Sequence, residues 1–361
     1  MLTRPAGSGT IRHDDPTDVP TFENLDLPGL EGVNYARGQT FGVEIELGSR
    51  AYCHEFGHPE WARTANQIIS CLRSSAKLPV YDKPLNYHQN DDATTWRVCF
   101  DRSCGWEIVS PILVNEGGFA ELARVAQAVT NLVRQSSDLC IDPSTGLHVT
   151  LATRLDTPER RSGFAGRLTR LEPGLFTLVA PSRLYELDYD REYNNRRRNG
   201  YCPPLRELKH LPGEAVGSEW SDTSRYQSVN LLRMNDPVQL LEIRMHQGTT
   251  DYRKIILWIS LWMQIFNRSR YDWCGKPEFG RVFPRGNSRV SFSQVDNEDI
   301  FRLLKREGIL LPASFERLLW ERRRELRQAW AYAVPNRVDC WDAAGWYDRD
   351  RAPTFAVTEN K

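Results

Sequence analysis

Thr-Phe-Gly-Val-Glu-Ile-Glu-Leu at residues 40–47 decides the fold. Phe41, Val43, Ile45 and Leu47 alternate with Gly42, Glu44 and Glu46, and a period of two specifies a β-strand with one buried face. Both glutamates then point the same way, about 7 Å apart along the strand. Working outward, the chain from about residue 1 to 35 is rich in Pro, Gly, Asp and Thr with little periodicity, which predicts a loosely ordered arm. On the other side, Glu60 to Lys77 carries Trp61, Ala65, Ile68, Ile69 and Leu72 at helical spacing. Phe119 to Arg134 repeats that pattern with Leu122, Ala126, Val129 and Val133.

Strand-like segments are expected at Thr94 to Asp101, Trp106 to Ser110, Gly146 to Thr153, Ser224 to Arg233 and Val238 to His246. The last two are joined by Met-Asn-Asp-Pro, whose turn chemistry predicts an antiparallel hairpin. The order of elements excludes a doubly wound parallel sheet and predicts an α+β fold with a mixed or antiparallel one. Asp251 to Arg268 reads as a Trp-rich helix, and the chain is helical again from Asn297, including Ala313 to Ala331. The expected organisation is an arm at 1–35, a catalytic domain at 36–295 and a helical C-terminal segment and tail at 296–361.

Composition narrows the partners. Forty-seven basic residues balance forty-seven acidic ones, so no global charge draws the chain to nucleic acid or to an anionic membrane. The N-terminus lacks the basic-then-apolar pattern of a signal peptide, and no apolar run reaches the roughly 18 residues of a membrane span. Eight cysteines, at 53, 71, 99, 104, 140, 202, 274 and 340, contain no Cys-x-x-Cys pair, the pattern of reduced thiols. A cytoplasmic location is expected, and the Asn267-Arg268-Ser269 sequon is expected to stay unused.

Polar residues recur on the non-core faces of separate strands. Glu107 sits between Trp106 and Ile108, His148 between Leu147 and Val149, and Glu242 and Arg244 share a face opposite Leu241, Ile243 and Met245. On one strand this is an ordinary solvated sheet face. Brought together, the carboxylates repel one another unless cations neutralise them. Carboxylates with one imidazole suit Mg²⁺ or Mn²⁺ bridging a nucleotide phosphate, and Arg244 would hold a phosphoryl oxygen.

Phe-Gly-Val-Glu-Ile-Glu at 41–46, Trp-Glu-Ile-Val-Ser-Pro at 106–111, Thr-Gly-Leu-His-Val at 145–149 and Leu-Glu-Ile-Arg-Met-His-Gln-Gly-Thr at 241–249 resemble, in this order, the signature of the amidoligase enzymes. That family is similar to glutamine synthetase and glutamate–cysteine ligase, and the resemblance covers about residues 38 to 270. It implies a curved, mainly antiparallel sheet flanked by helices, with ATP and divalent cations on one face. It further implies Glu44, Glu46, Glu107, His148 and Glu242 as metal ligands, His148 also meeting nucleotide phosphate, and Arg244 as the group that stabilises the transferring phosphate. Thr150 stands where members often have a second His, which leaves the number of metals open.

The implied reaction is amide or isopeptide formation from a small-molecule or peptide carboxylate and an amine, through an acyl phosphate. A phosphotransferase built on a related sheet and a non-catalytic binding module are the alternatives. Arg225, Tyr226 and Asn230 precede Glu242 where similar enzymes contact substrate or nucleotide; Tyr226 as sheet packing and Arg225 as a surface charge is the competing reading. Lys209 could reach a phosphate or face solvent. The basic run Tyr193 to Gly200 reads as a solvated face or as a lid over the site. His54-Glu55-Phe56-Gly57-His58 satisfies the His-Glu-x-x-His pattern of zinc proteases, but Gly57 and Pro59 disfavour the helix that pattern needs.

Overall fold

The structure, a computed structural model, describes residues 39–49, 59–86, 94–141 except 102, 145–180 except 154 and 156, 183, 202, 204–205, 227–269 except 236–237, and 299–336. The predicted N-terminal arm, the His54–His58 segment, the 193–200 basic run, Lys209, Arg225 and Tyr226 lie outside these residues. Among the described residues nine strands form one sheet: β1 (Thr40–Ser49), β2 (Leu85–Asn86), β3 (Arg97–Asp101), β4 (Gly105–Val109), β5 (Leu113–Val114), β6 (Leu139–Cys140), β7 (Gly146–Ala152), β8 (Val229–Asn230) and β9 (Leu240–Gln247). Their lateral order is β2-β3-β4-β1-β7-β9-β8, with β5 and β6 pairing the two ends of β1. Every pairing is antiparallel except β2 with β3. The sheet is open and mainly antiparallel, as the alternating strands predict.

Among the described residues six helices accompany it: α1 (Pro59–Ser74), α2 (Asn115–Gln135), α3 (Pro158–Phe176), α4 (Tyr252–Ser269), α5 (Ile300–Arg306) and α6 (Ala313–Asn336). The apolar face of β1, built by Phe41, Val43, Ile45 and Leu47, joins the buried stripes of α1, α2 and α4 in one cluster. Trp61 of α1 lies 4.9 Å from Trp106 of β4 and 5.6 Å from Phe100 of β3, ring centre to ring centre. Close-packed aromatic contacts of this kind fix the helix layer on one side of the sheet. Ile300, Phe301, Leu303 and Leu304 of α5 enter the same cluster. Thr157 caps α3 by accepting the Arg160 amide, with Pro158 as its first residue. No helix among the described residues is long and apolar enough to cross a membrane.

One strand is shorter than its sequence predicts. β8 pairs with β9 antiparallel, as the hairpin reading expects, but covers only Val229 and Asn230 before a 3₁₀ turn at Leu232–Asn235. The Asn230 side-chain oxygen accepts the Leu232 amide at 3.1 Å, an Asx turn that competes with the ladder. A second irregularity lies in β9. Val149 faces Ile243 while Leu147 faces His246, so His148 stands against two residues, Arg244 and Met245. Continued alternation past Arg244 would put His246 with the carboxylates. The bulge instead turns it toward α4, where its ring lies 5.1 Å from that of Trp258.

Candidate active site

Register lines the polar residues up across the sheet. Glu44 pairs with Val109 on one side and His148 on the other, Glu46 pairs with Glu107, and Thr150 pairs with both Gly42 and Glu242. Glu242 in turn pairs with Asn230. The period of two that buries Val43, Ile45 and Leu47 therefore brings Glu44, Glu46, Glu107, His148, Glu242 and Arg244 to the opposite face. A solvated sheet face would leave them exposed, yet Glu46 and Glu107 are 5% exposed and His148 is 3% exposed. The Glu44 side chain, 33% exposed, is where the cluster meets solvent.

His148 is held between two carboxylates. Its Nδ1 lies 2.9 Å from Glu44 Oε2 and its Nε2 3.2 Å from Glu46 Oε1. Glu242 Oε1 stands 3.9 Å from the same Nδ1. Glu46 Oε2 also accepts the Gly146 amide, and Glu242 accepts from the Asn230 amide nitrogen at 2.7 Å and from Arg244 Nη1. One ligand atom from each of Glu44, Glu107 and His148 falls within 4.8 Å of the others.

Electrostatics pull these carboxyls apart. Burial, then the charges of Glu44, Glu46 and Asp101, push Glu107 well above the usual carboxylate range. Burial opposes ionisation of Glu44 as well, but the His148 hydrogen bond and charge, with Arg244 and Arg97, outweigh it and hold that carboxyl low. Burial likewise works against the charge on Arg244, and Glu242, Glu46 and Glu44 more than restore it. Two carboxyls with ligand atoms within 4.8 Å of each other are thus pushed in opposite directions by their surroundings.

Of the residues singled out in the sequence, Glu44, Glu46, Glu107, His148, Asn230, Glu242 and Arg244 come together on this face. Three neighbours were missed. Arg97 and Asp101 lie on β3 in phase with Cys99, and Val98 and Phe100 occupy the core side, so alternation within the predicted strand carried that signal. Arg183 has no local pattern to announce it; it is buried beside Gly146. Gly105, at φ +119°, closes the β3–β4 turn that carries Asp101 toward Glu107.

Cys99 shares this face but has no nucleophilic character. Burial first, and the Glu107 charge next, push its thiol up to about 12. Alkylation by iodoacetamide at pH 8 is expected to be about 10³-fold slower than for a free cysteine and to reach the ordinary rate in denaturant. Peptide mapping by mass spectrometry reads both rates, and fast labelling of Cys99 in the folded protein contradicts the burial argument.

An open antiparallel sheet thus gathers carboxylates, an imidazole and a guanidinium onto one face. The sequence model of the family described as "Putative amidoligase enzyme" matches residues 37–266, and the chain belongs to that family. It is thus an amidoligase, a carbon–nitrogen bond-forming ligase. No curated protein matches the chain in sequence. Among solved structures it is similar to a glutamine synthase homologue, at 14% identity and a TM-score of 0.46 over 86% of this chain and 71% of that one. It is also similar to an ADP complex of GmaS, at 14% identity and 0.46 over 86% and 73%. A third similar structure is the complex of the prokaryotic ubiquitin-like protein Pup with its ligase PafA, at 10% identity and 0.41 over 87% and 69%.

Proposed function

We propose that this chain is an ATP- and Mg²⁺-dependent carboxylate–amine ligase that works through an acyl phosphate, with its catalytic domain at about residues 36–295. The observation that carries the reading is the meeting of Glu44, Glu107 and His148 ligand atoms within 4.8 Å, flanked by Glu46, Glu242 and Arg244. Oxygen donors with one imidazole fit a hard divalent cation. The raised Glu107 carboxyl fits too, because crowded acids lose their protons when a cation offsets the repulsion. Glu44, Glu46, Glu107, His148 and Glu242 would hold Mg²⁺ or Mn²⁺, which would offset phosphate charge when bound.

The chain's own groups supply the rest. Arg244, cationic and tied to Glu242, faces the same space and is placed to receive an oxygen of the phosphoryl group as it passes from ATP to the substrate carboxylate. Glu242 orients that guanidinium, and Asn230 orients Glu242. His148 fixes Glu44 and Glu46 at once and lies where a nucleotide phosphate would meet the cluster. The sheltered face excludes water, which would hydrolyse an acyl phosphate before an amine reached it. The amine then attacks the activated carbonyl carbon, the C–O bond to phosphate breaks, and an amide remains. Arg225 and Lys209 stand as further candidates for contact with nucleotide, and the substrates are small-molecule or peptide acids and amines.

Hydroxylamine as surrogate amine, with Mg²⁺, ATP and a panel of amino acids and short peptides as carboxylates, tests this reading. Hydroxamate and ADP are expected in equal amounts, with both lost in a Glu44→Gln variant. ADP with a stable phosphorylated product and no hydroxamate would establish a phosphotransferase instead. Unchanged turnover in Glu44→Gln would remove the site assignment.

A further inference from the structure

The bulge in β9 makes Arg244 the residue on which the site turns, and a bulge takes backbone groups out of the ladder that must be satisfied elsewhere. The Arg244 amide donates to the Ser228 carbonyl at 2.9 Å. Its carbonyl accepts from Arg183 Nη2 at 2.8 Å. Arg183 Nη1 reaches the Thr145 carbonyl at 3.5 Å, at the entry to β7, where the Gly248 amide also donates at 2.9 Å. One guanidinium therefore ties the two strands that carry His148 and Arg244.

Arg183 is 3% exposed, and among the described residues its Nε has no acceptor. The turn that presents it is itself latched to the end of β9. The Arg183 amide donates to the Ala180 carbonyl at 3.0 Å, and the Ala180 amide donates to Gln247 Oε1 at 3.0 Å. This guanidinium and the acid cluster both lie against Gly146. A methyl group on Gly146 would come within 3.1 Å of His148 Nε2, 3.3 Å of Glu46 Oε2 and 3.4 Å of Arg183 Nη2. Among the described residues this buried guanidinium donates to carbonyls rather than to a carboxylate, an unfavourable arrangement unless something depends on it.

We propose that Arg183 is a positioning residue for Arg244: by taking the carbonyl released by the bulge, it keeps the Arg244 guanidinium on the acid face beside Glu242. This inference rests on the ligase reading of the site. Lysine cannot replace it, because one ammonium lacks the rigid fork that serves two carbonyls on neighbouring strands.

A double-mutant cycle tests the inference, with Mg²⁺ and the non-hydrolysable β,γ-imido analogue of ATP as probe and calorimetric affinity as readout. Arg244→Ala and Arg183→Met are each expected to weaken binding about 10-fold, the double variant to bind no worse than Arg244→Ala alone, and Arg183→Lys to fall between. A residue acting on binding independently of Arg244 would give a product of the single effects, about 100-fold, and that additivity overturns the proposal. So does analogue binding at the unaltered affinity by folded Arg183→Met. If Arg183→Met fails to unfold cooperatively, the cycle runs with Arg183→Lys, and unaltered affinity there overturns the proposal equally. Failure of the unaltered protein to bind the analogue brings down the ligase reading and this inference with it.

Discussion

Arg244→Ala is expected to slow hydroxamate formation by about 10³-fold, the scale on which an arginine at a transferring phosphoryl group acts. Two features make the effect large. Arg244 is 8% exposed and held by Glu242, so its fork is pre-oriented. Its removal also leaves Glu242, among the described residues, an acceptor for Asn230 alone, within a face already crowded with carboxylates. Arg244→Lys keeps the charge and loses the fork, and recovers only part of the rate. Turnover measured beside the unfolding midpoint separates chemistry from stability. A rate within 10-fold of the unaltered protein, in a folded variant, removes Arg244 from the mechanism.

Replacing Glu307 has the largest expected effect on stability. Glu307 follows α5 and receives both Nε and Nη2 of Arg170, at 2.6 and 2.9 Å, while Arg167 donates to its carboxylate at 3.4 Å and to its carbonyl at 3.2 Å. Arg167 also donates to Ser269 at the end of α4 at 2.8 Å. The cluster thereby joins α3, α4 and α5. Gly308, at φ +70°, permits the turn that aims Glu307 back at α3. Glu307→Gln takes the carboxylate charge away from two buried guanidiniums and is expected to cost about 3 kcal/mol, as breaking a buried pair does.

The pH dependence of that loss has a definite sign. Burial pulls the Glu307 carboxyl up, but the Arg170 and Arg167 bonds and charges hold it below its ordinary 4.5. A carboxyl depressed by folding contributes fully above its unfolded value and loses the contribution as pH falls through the folded one. The gap in denaturant midpoint between Glu307→Gln and the unaltered protein is therefore expected to be widest near neutrality and to close below pH 4.5. A gap of constant width from pH 7 to pH 3 would mean that packing, not charge, holds this joint.

Much of the site is legible in short-range patterns. Alternation places Glu44, Glu46, Glu107, His148 and Glu242 opposite residues that must be buried, and an antiparallel sheet leaves only one face for them to share. Arg97 and Asp101 obey the same alternation and were legible in principle. What local pattern cannot supply is the consequence of irregular backbone. β8 ends at Asn230 because a side chain takes the next amide, and β9 changes phase at Arg244 because an extra residue enters the ladder. His246, which strict alternation sends to the acid face, packs on Trp258 instead, where burial first and then the Arg322 charge hold it neutral. Arg183 is meaningful only once two strands distant in sequence lie side by side, so no window around it carries the signal.

The place of β1 at the centre of the sheet has a consequence for how the protein comes into being. Glu44 lies 104 residues from its partner His148, and the chain must continue almost as far again before Glu242 arrives on β9. Closing such loops is entropically slow, and Glu44 and Glu46 both wait for partners on β7 that lie 104 and 100 residues away. During synthesis the nascent chain must therefore hide the apolar face of β1 for as long as it takes to make some two hundred residues. The chemistry switches on in a single late step, when the last strand docks, so a chain that stops short of β9 carries the acids without a place to use them.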